Sequence, residues 1–272
     1  MMTNELVPTI NGSTKFVVIV GDPIKQVGSP GLINPRFKRR DINAVLIPVH
    51  IPQAEFEDGM RGLMRVANLA GIIITVPFKK RAAALVDTVL ETGQLVEGIN
   101  ALRRDADGKW TGDMFDGAGL VRAVEIAGRT VKGARTLLLG AGGAGSAIAM
   151  GFAAAGATAI TLHDPDATRA SALGKRVQKF YPEVAIAPGE PLAKGYDIVV
   201  NASPIGMKPG EGLPAPIGPL TSSTLLIDII PNPVVTPLIA YAREAGCQTL
   251  GGLDMLDAQA DTFLEFFGLI GK

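Results

Sequence analysis

Apolar residues along this chain fall into short unbroken runs, separated by stretches where they recur at helical spacing. Phe16 to Val20, Ala44 to Val49 and Gly71 to Val76 are unbroken runs rich in β-branched side chains. A strand covered on both faces has no polar face to show, so such a run predicts a central strand. Between the runs, Ser29 to Arg40 and Gln53 to Val66 are compatible with helices. Strands and helices in alternation predict βα units around a largely parallel sheet. Ile99 to Arg103 and Lys109 to Thr111 flank Asp105-Ala106-Asp107-Gly108, which predicts a hairpin.

A second series begins near Arg135. Thr136 to Leu139 predicts a buried strand, followed by a Gly-rich turn and an Ala-rich helix ending near Gly156. Ala159 to Leu162, Asp197 to Val200 and Leu225 to Ile229 predict further strands, and the series resembles a Rossmann half with additions. Pro204 to Pro219 is rich in Pro and Gly and predicts a long surface loop. Leu256 to Phe267 carries apolar residues at helical spacing. The expected fold class is α/β in two lobes, with a boundary near Gly112 to Gly117.

Composition narrows the function classes. The 272 residues carry 26 Lys plus Arg and 26 Asp plus Glu, so no basic surplus exists to neutralise phosphates, and only 5% are aromatic. Both observations argue against a nucleic-acid partner. One cysteine, Cys247, cannot form an internal disulfide and fits a reducing compartment. With His50 and His163 the only histidines, a metal site is not expected. Met1 to Lys15 lacks the basic-then-apolar layout of a signal peptide, and no apolar run approaches the ~20 residues of a membrane helix. A cytoplasmic protein without a membrane partner is expected.

The chemistry begins at Gly140-Ala141-Gly142-Gly143-Ala144-Gly145, which contains G-x-G-x-x-G. In a chain this rich in glycine the motif alone is weak; following a predicted strand and opening a predicted helix, it reads as a dinucleotide site. The glycines allow a tight turn and close approach of the backbone to a pyrophosphate, which the free N–H groups of the helix start can hold. Asp164 follows the next strand, about where the fingerprint expects an acid for the ribose hydroxyls. A carboxylate there repels a 2′-phosphate and favours NAD over NADP. The alternative reading makes Asp164 the cap of the next helix, with Pro165 in its first turn.

Oxidising an alcohol with such a cofactor needs a base for the hydroxyl proton, and a lysine beside an aspartate can supply one. Spacing alone does not select Lys79 and Asp116 from the other charged residues; the sequence around them does. Gly71-Ile-Ile-Ile-Thr75-Val76-Pro77-Phe78-Lys79 resembles the shikimate dehydrogenase segment ending T-x-P-F-K, and Gly112-Asp113-Met114-Phe115-Asp116-Gly117 resembles its G-D-N-T-D-G. Gly98-Ile99-Asn100 is similar to its G-x-N. Asn201-Ala202-Ser203-Pro204-Ile205-Gly206-Met207 is similar to N-A-[ST]-x-x-G-M, and Gly252 to Gln259 is similar to G-x-x-M-L-x-x-Q. These blocks occur in family order from about Gly21 to Ala260.

The resemblance implies an N-terminal substrate-binding domain over residues 1–114, joined by the C-terminal helix 254–272, and a Rossmann NAD(P)-binding domain over residues 115–253. It implies Lys79 as proton acceptor and Asp116 as its partner. It places Ser29, Thr75, Asn100 and Gln259 on the substrate. Asn201, Ser203, Gly206, Met207, Ile229, Gly252 and Met255 join Gly140, Ala141, Gly142, Gly143, Ala144 and Asp164 on the cofactor side.

The departures point the other way for substrate choice. The family's substrate-carboxylate block, G-x-P-I-x-H-S-x-S-P, reads Gly21 to Pro30 here, with Ser29 retained and Val27 in place of the first serine. The usual Asn of N-V-T is Ile73, the Thr before the catalytic Asp is Phe115, and the expected Tyr is Pro231. Val27 and Phe115 therefore predict an altered pocket, with Phe115 adding bulk. The family's N-R-T for NADP is His163-Asp164-Pro165, again favouring NAD. The expectation is an NAD-dependent oxidoreductase acting on a shikimate-like cyclic hydroxy acid such as shikimate or quinate. The alternative is a catalytically weak NAD-binding sensor or interaction protein, which has no need of an acid–base pair. The sequence leaves the oligomeric state open, a homodimer included.

Overall fold

The structure, a computed structural model, describes residues 10–271. The leader reading of Met1 to Lys15 thus falls mostly outside the described residues. In chain order the elements are β1 (Lys15–Gly21), α1 (Ser29–Arg39), β2 (Ala44–His50), a 3-10 turn (Gln53–Glu55), α2 (Phe56–Leu63), β3 (Leu69–Ile74), α3 (Lys79–Ala83), β4 (Thr88–Val89), α4 (Glu91–Val96), β5 (Ala101–Arg104) and β6 (Trp110–Asp113). They continue with α5 (Asp116–Ile126), β7 (Arg135–Leu139), α6 (Gly143–Ala154), β8 (Ala159–His163), α7 (Ala167–Phe180), β9 (Ala185–Pro188), β10 (Ile198–Asn201), β11 (Leu225–Asp228), α8 (Pro237–Glu244), β12 (Gln248–Gly251) and α9 (Gly252–Phe266). The chain divides into two compact units: Met1–Phe115 with Ala260–Lys272, and Asp116–Gln259. Among the described residues, no helix is long and apolar enough to cross a membrane.

The first unit holds a six-stranded sheet in the order β2-β1-β3-β5-β6-β4. β1 runs parallel to β2 and β3, while β3/β5 and β5/β6 are antiparallel. The sheet is therefore mixed rather than largely parallel, because the hairpin at Asp105–Gly108 reverses the chain inside it. Alternate side chains of β1 explain its unbroken apolar run. Val17 and Ile19 face Phe37, Leu46 and Phe263 on one side; Val18 and Val20 face Phe56, Met60 and Phe78 on the other. The end of α9 supplies Ala260, Phe263, Leu264 and Phe266 to the first of these layers. Gly71 admits it: a Cβ there would meet the Phe267 ring at 2.3 Å.

The second unit holds a parallel six-stranded sheet in the order β12-β11-β10-β7-β8-β9. Counted from its own first strand this is 3-2-1-4-5-6 read from the β9 edge, the doubly wound Rossmann order, with its switch point between β7 and β10. Register aligns the carboxyl ends: Leu139 pairs with His163 and with Asn201, Asn201 with Asp228, and Asp228 with Gly251. α5 and α6 pack at glycines, since a Cβ on Gly117 would lie 2.2 Å from the Ala147 carbonyl oxygen and one on Gly151 2.7 Å from Gly117 Cα.

Candidate functional site

In the first unit, the segments after β1 and β3 lie against each other. Gly21 allows this, since a Cβ there would sit 2.4 Å from Thr75 Cγ2. The Thr75 N–H donates to the Val20 carbonyl at 2.9 Å and the Asp22 N–H to the Val76 carbonyl at 3.1 Å. Ser29 is buried in the first turn of α1, and Val27 packs against the apolar layer that contains Phe37. Ile73, where the family pattern has Asn, is buried in that same layer.

Lys79 opens α3, half-buried. Its carbonyl accepts the Ile99 N–H at 2.9 Å. Gly98 lets that approach occur, because a Cβ there would stand 3.3 Å from the same oxygen. The next residue, Asn100, is buried and ties three segments together. Its N–H donates to the Asp113 carbonyl at 2.9 Å, and its carbonyl accepts the Ile74 N–H at 2.8 Å. Its side-chain Oδ1 accepts the Phe115 N–H at 2.9 Å. Gly98-Ile99-Asn100 thus joins the Lys79 turn to the Asp113–Phe115 segment, a backbone role that the motif does not announce. The bulk expected of Phe115 is taken up by aromatic packing: its ring meets Phe266 edge-on at 5.0 Å and Phe263 at 5.8 Å. Asp113, missed in the sequence, accepts N–H groups of Gly93 and Met114 at 2.8 Å each and braces α4 against β6. Burial pushes its carboxyl up, opposed by those two donors.

In the second unit, Asp116 opens α5 and Gln259 lies on α9. Gln259 Nε2 donates to Asp116 Oδ1 at 3.1 Å, with the two residues 1% and 5% exposed. Gly119 makes the room, since a Cβ there would meet Gln259 Cγ at 2.2 Å.

The Gly-rich turn fits a dinucleotide. Gly140 takes φ +100°, and a Cβ on Gly145 would lie 2.0 Å from the Gly140 carbonyl oxygen, so both glycines are needed for the turn itself. Gly142 and Gly143, with Ala144 following in the first turn of α6, leave open space where their Cβ atoms would be, the room a pyrophosphate requires at a helix start. Asp164 is aimed at this turn: Oδ2 accepts the Ala141 N–H at 2.8 Å and Oδ1 the Asp166 N–H at 2.9 Å. The capping alternative for Asp164 fails, because the cap of α7 is Asp166, which accepts the Thr168 N–H at 3.0 Å. Two capping-type residues, Asp164 and Asp166, stand on either side of Pro165, and the sequence does not choose between them.

At the ends of β10 and β11 the remaining residues form one network. Asn201 Oδ1 accepts from Ser203 N–H at 3.0 Å and Oγ–H at 2.7 Å, and its Nδ2 donates to the Ile205 carbonyl at 3.2 Å and to Asp228 Oδ1 at 3.1 Å. The Ile229 N–H donates to the Asn201 carbonyl at 3.1 Å. Gly252 lies under that segment, where a Cβ would be 2.4 Å from the Ile229 carbonyl oxygen, and Met255 is buried one turn on. Burial pushes the Asp228 carboxyl up, opposed by hydrogen bonds from Thr236, Ile230 and Asn201.

Gly206 and Met207 lie in the loop between β10 and β11, where sequence reasoning overlooked Glu211. Its Oε2 accepts the Gly206 N–H at 2.8 Å and the Lys208 N–H at 3.1 Å. These donors hold its carboxyl below the ordinary glutamate value of 4.5. A depressed carboxylate contributes its bonds above the ordinary value and loses them as pH falls through the depressed one. The amide NMR shifts of Gly206 and Lys208 are therefore expected to titrate together with a midpoint below 4.5, and Glu211→Gln to abolish the titration. A shared midpoint at or above 4.5 would contradict the assignment.

Residues 19–102 match the family described as the shikimate dehydrogenase substrate binding domain. A shikimate dehydrogenase (NADP(+)) of Rubrobacter xylanophilus is 34% identical over 92% of this chain and 89% of its own length. Among solved structures, the shikimate 5-dehydrogenase of Listeria monocytogenes in complex with shikimate and NAD has a TM-score of 0.85 at 27% identity, covering 97% of this chain and 95% of that one. The 5-ketofructose reductase of Gluconobacter sp. strain CHM43 has a TM-score of 0.84 at 26% identity, covering 94% of each chain. With such identity along nearly its whole length, the chain belongs to the shikimate dehydrogenase family.

Proposed function

We propose that this protein is an NAD-dependent oxidoreductase that interconverts the C–OH and C=O of a shikimate-like cyclic hydroxy acid. The nicotinamide cofactor, when bound, accepts or gives the hydride. Lys79 Nζ takes the hydroxyl proton in the oxidative direction and returns it in the reductive one. By the family pattern, Ser29, Thr75 and Asn100 of the first unit and Asp116 and Gln259 of the second are the substrate residues.

The observation that carries this reading is the buried Gln259–Asp116 hydrogen bond. An apolar pair would pack there without desolvating a carboxylate, so stability does not account for it. A cofactor-binding sensor would need neither residue. NAD is favoured by Asp164, whose carboxylate already turns toward the pyrophosphate loop.

A second reading of the substrate is favoured by Val27. Its packing in an apolar layer removes a hydroxyl from the block that meets the substrate carboxylate in the family pattern. Loss of a hydrogen bond to a charged group costs roughly 1.5–3 kcal/mol, and an apolar neighbour under-solvates the charge further. A neutral polyhydroxy ketone escapes this penalty, and one structural relative is named for reducing 5-ketofructose.

Turnover with NAD(H) should be measured on shikimate, quinate and 5-ketofructose. Slow shikimate oxidation with a high KM is expected, quinate slower still, and Val27→Ser should raise kcat/KM for shikimate about tenfold, or ~1.4 kcal/mol. Faster turnover of the neutral ketone than of either acid would establish the second reading. Tight NADH binding with no turnover of any of them would leave the sensor as the function.

A further inference from the structure

We infer that Asp228 is the positioning residue for the nicotinamide half of the dinucleotide, acting through Asn201 and Thr236 without touching the ligand. The inference rests on the NAD-binding reading above. The switch point of the sheet lies between β7 and β10. Phosphates held over the open backbone of Gly142 and Gly143 leave one nucleoside on the β8 side, where Asp164 waits for ribose hydroxyls. The other nucleoside then falls over the carboxyl ends of β10 and β11, where Asn201 and Asp228 stand in register.

Asp228 is fully buried, and both of its oxygens are already engaged by donors of the protein. Its oxygens collect donors from three separate segments. Oδ1 accepts Asn201 Nδ2 at 3.1 Å and the Ile230 N–H at 3.2 Å; Oδ2 accepts the Thr236 hydroxyl at 2.6 Å. Asn201 in turn holds Ser203 and Ile205, the base of the loop that leads to Gly206. Ile230 fixes the segment after β11, and Thr236 caps α8 by accepting the Ile239 N–H at 3.2 Å. An apolar side chain at this position would join the strands as firmly without the cost of burying a carboxylate. Only an acceptor with two oxygens can set all three segments against one another at hydrogen-bond distances.

Asp228→Asn keeps the shape but turns an NH₂ toward at least one of these donors, whichever way the amide lies. The test measures NADH and ADP-ribose affinities in the full chain. ADP-ribose shares everything with NADH except the nicotinamide. Asp228→Asn is expected to weaken NADH about tenfold, the loss associated with one mismatched hydrogen bond to a charged group, while ADP-ribose changes by less than about twofold. Should that variant not fold, Thr236→Val removes the Oδ2 donor and is expected to give the same split, with Thr236→Ser restoring the native NADH affinity. A folded variant in which both ligands weaken equally would reduce Asp228 to a structural residue and overturn the inference; so would one in which neither changes. A native protein that binds neither ligand would overturn the cofactor reading itself, and this inference with it.

Discussion

Lys79→Ala is expected to lower kcat by about 10²-fold or more while NADH affinity stays within about twofold, the signature of losing a general base. The surroundings of Lys79 make this a clean experiment. Its backbone carbonyl is held by the Ile99 N–H, and neighbouring side chains also anchor α3. The Phe78 ring stacks on Phe56 with centroids 4.0 Å apart, and the Arg81 guanidinium lies over Phe56 at 4.9 Å. Arg81 also makes a two-point hydrogen bond to Glu57, through Nε at 2.8 Å and a terminal nitrogen at 2.5 Å. Alanine at position 79 removes Nζ while the Ile99 hydrogen bond and the Phe56, Phe78 and Arg81 contacts of the turn remain. Lys79→Arg should be nearly as slow, because guanidinium keeps the charge yet cannot give up its proton. Single-turnover rates across pH, together with an NADH titration, distinguish the outcomes. A Lys79→Ala enzyme within threefold of native turnover would remove the lysine from the chemistry.

Exchanging Asp164 for Arg and Pro165 for Thr is expected to shift the NADP-to-NAD ratio of kcat/KM by at least about 10²-fold, near 2.7 kcal/mol. The native carboxylate accepts the Ala141 N–H at 2.8 Å, which fixes it beside the Gly-rich turn. A 2′-phosphate beside it meets like charge in a partly dry site, whereas arginine meets that phosphate with a fork of donors. The exchange has a second consequence that sequence alone does not suggest. It strips the Ala141 N–H of its acceptor, so NAD use should fall by more than the lost ribose contact explains. Steady-state kcat/KM for both cofactors on native and exchanged proteins decides the matter. Equal values for NAD and NADP in the native protein would refute the role given to Asp164; the relative from Rubrobacter xylanophilus is itself named for NADP(+).

Local demands explain which parts of the architecture could be read in advance. Phe16 to Val20 declared a doubly covered strand because burial on both faces leaves no polar alternation. The turn at Gly140 declared itself because a residue at φ +100° and a contact of 2.0 Å from the Gly145 position exclude side chains whatever the rest of the fold does. β4, two residues long, and the exposed edge strand β9 carry too little burial to leave a pattern in the sequence. The antiparallel middle of the first sheet was implicit in the hairpin at Asp105–Gly108, but the preceding βα rhythm outweighed it.

The sequence by itself determined the α/β class, the dinucleotide turn and the order of the family blocks, since each depends on residues close together along the chain. The tertiary structure alone decided how those residues are used. Gln259 meets Asp116 across 143 positions, and Gly119 is small for the sake of that meeting. Phe115 packs against Phe263 and Phe266, ring contacts made across about 150 positions of sequence. Glu211 holds Gly206, and Asp228 gathers Asn201, Ile230 and Thr236. A hydrogen bond depends on distance and direction in space, and a buried polar group must find its partner wherever the fold brings one. No periodicity along the chain encodes that choice.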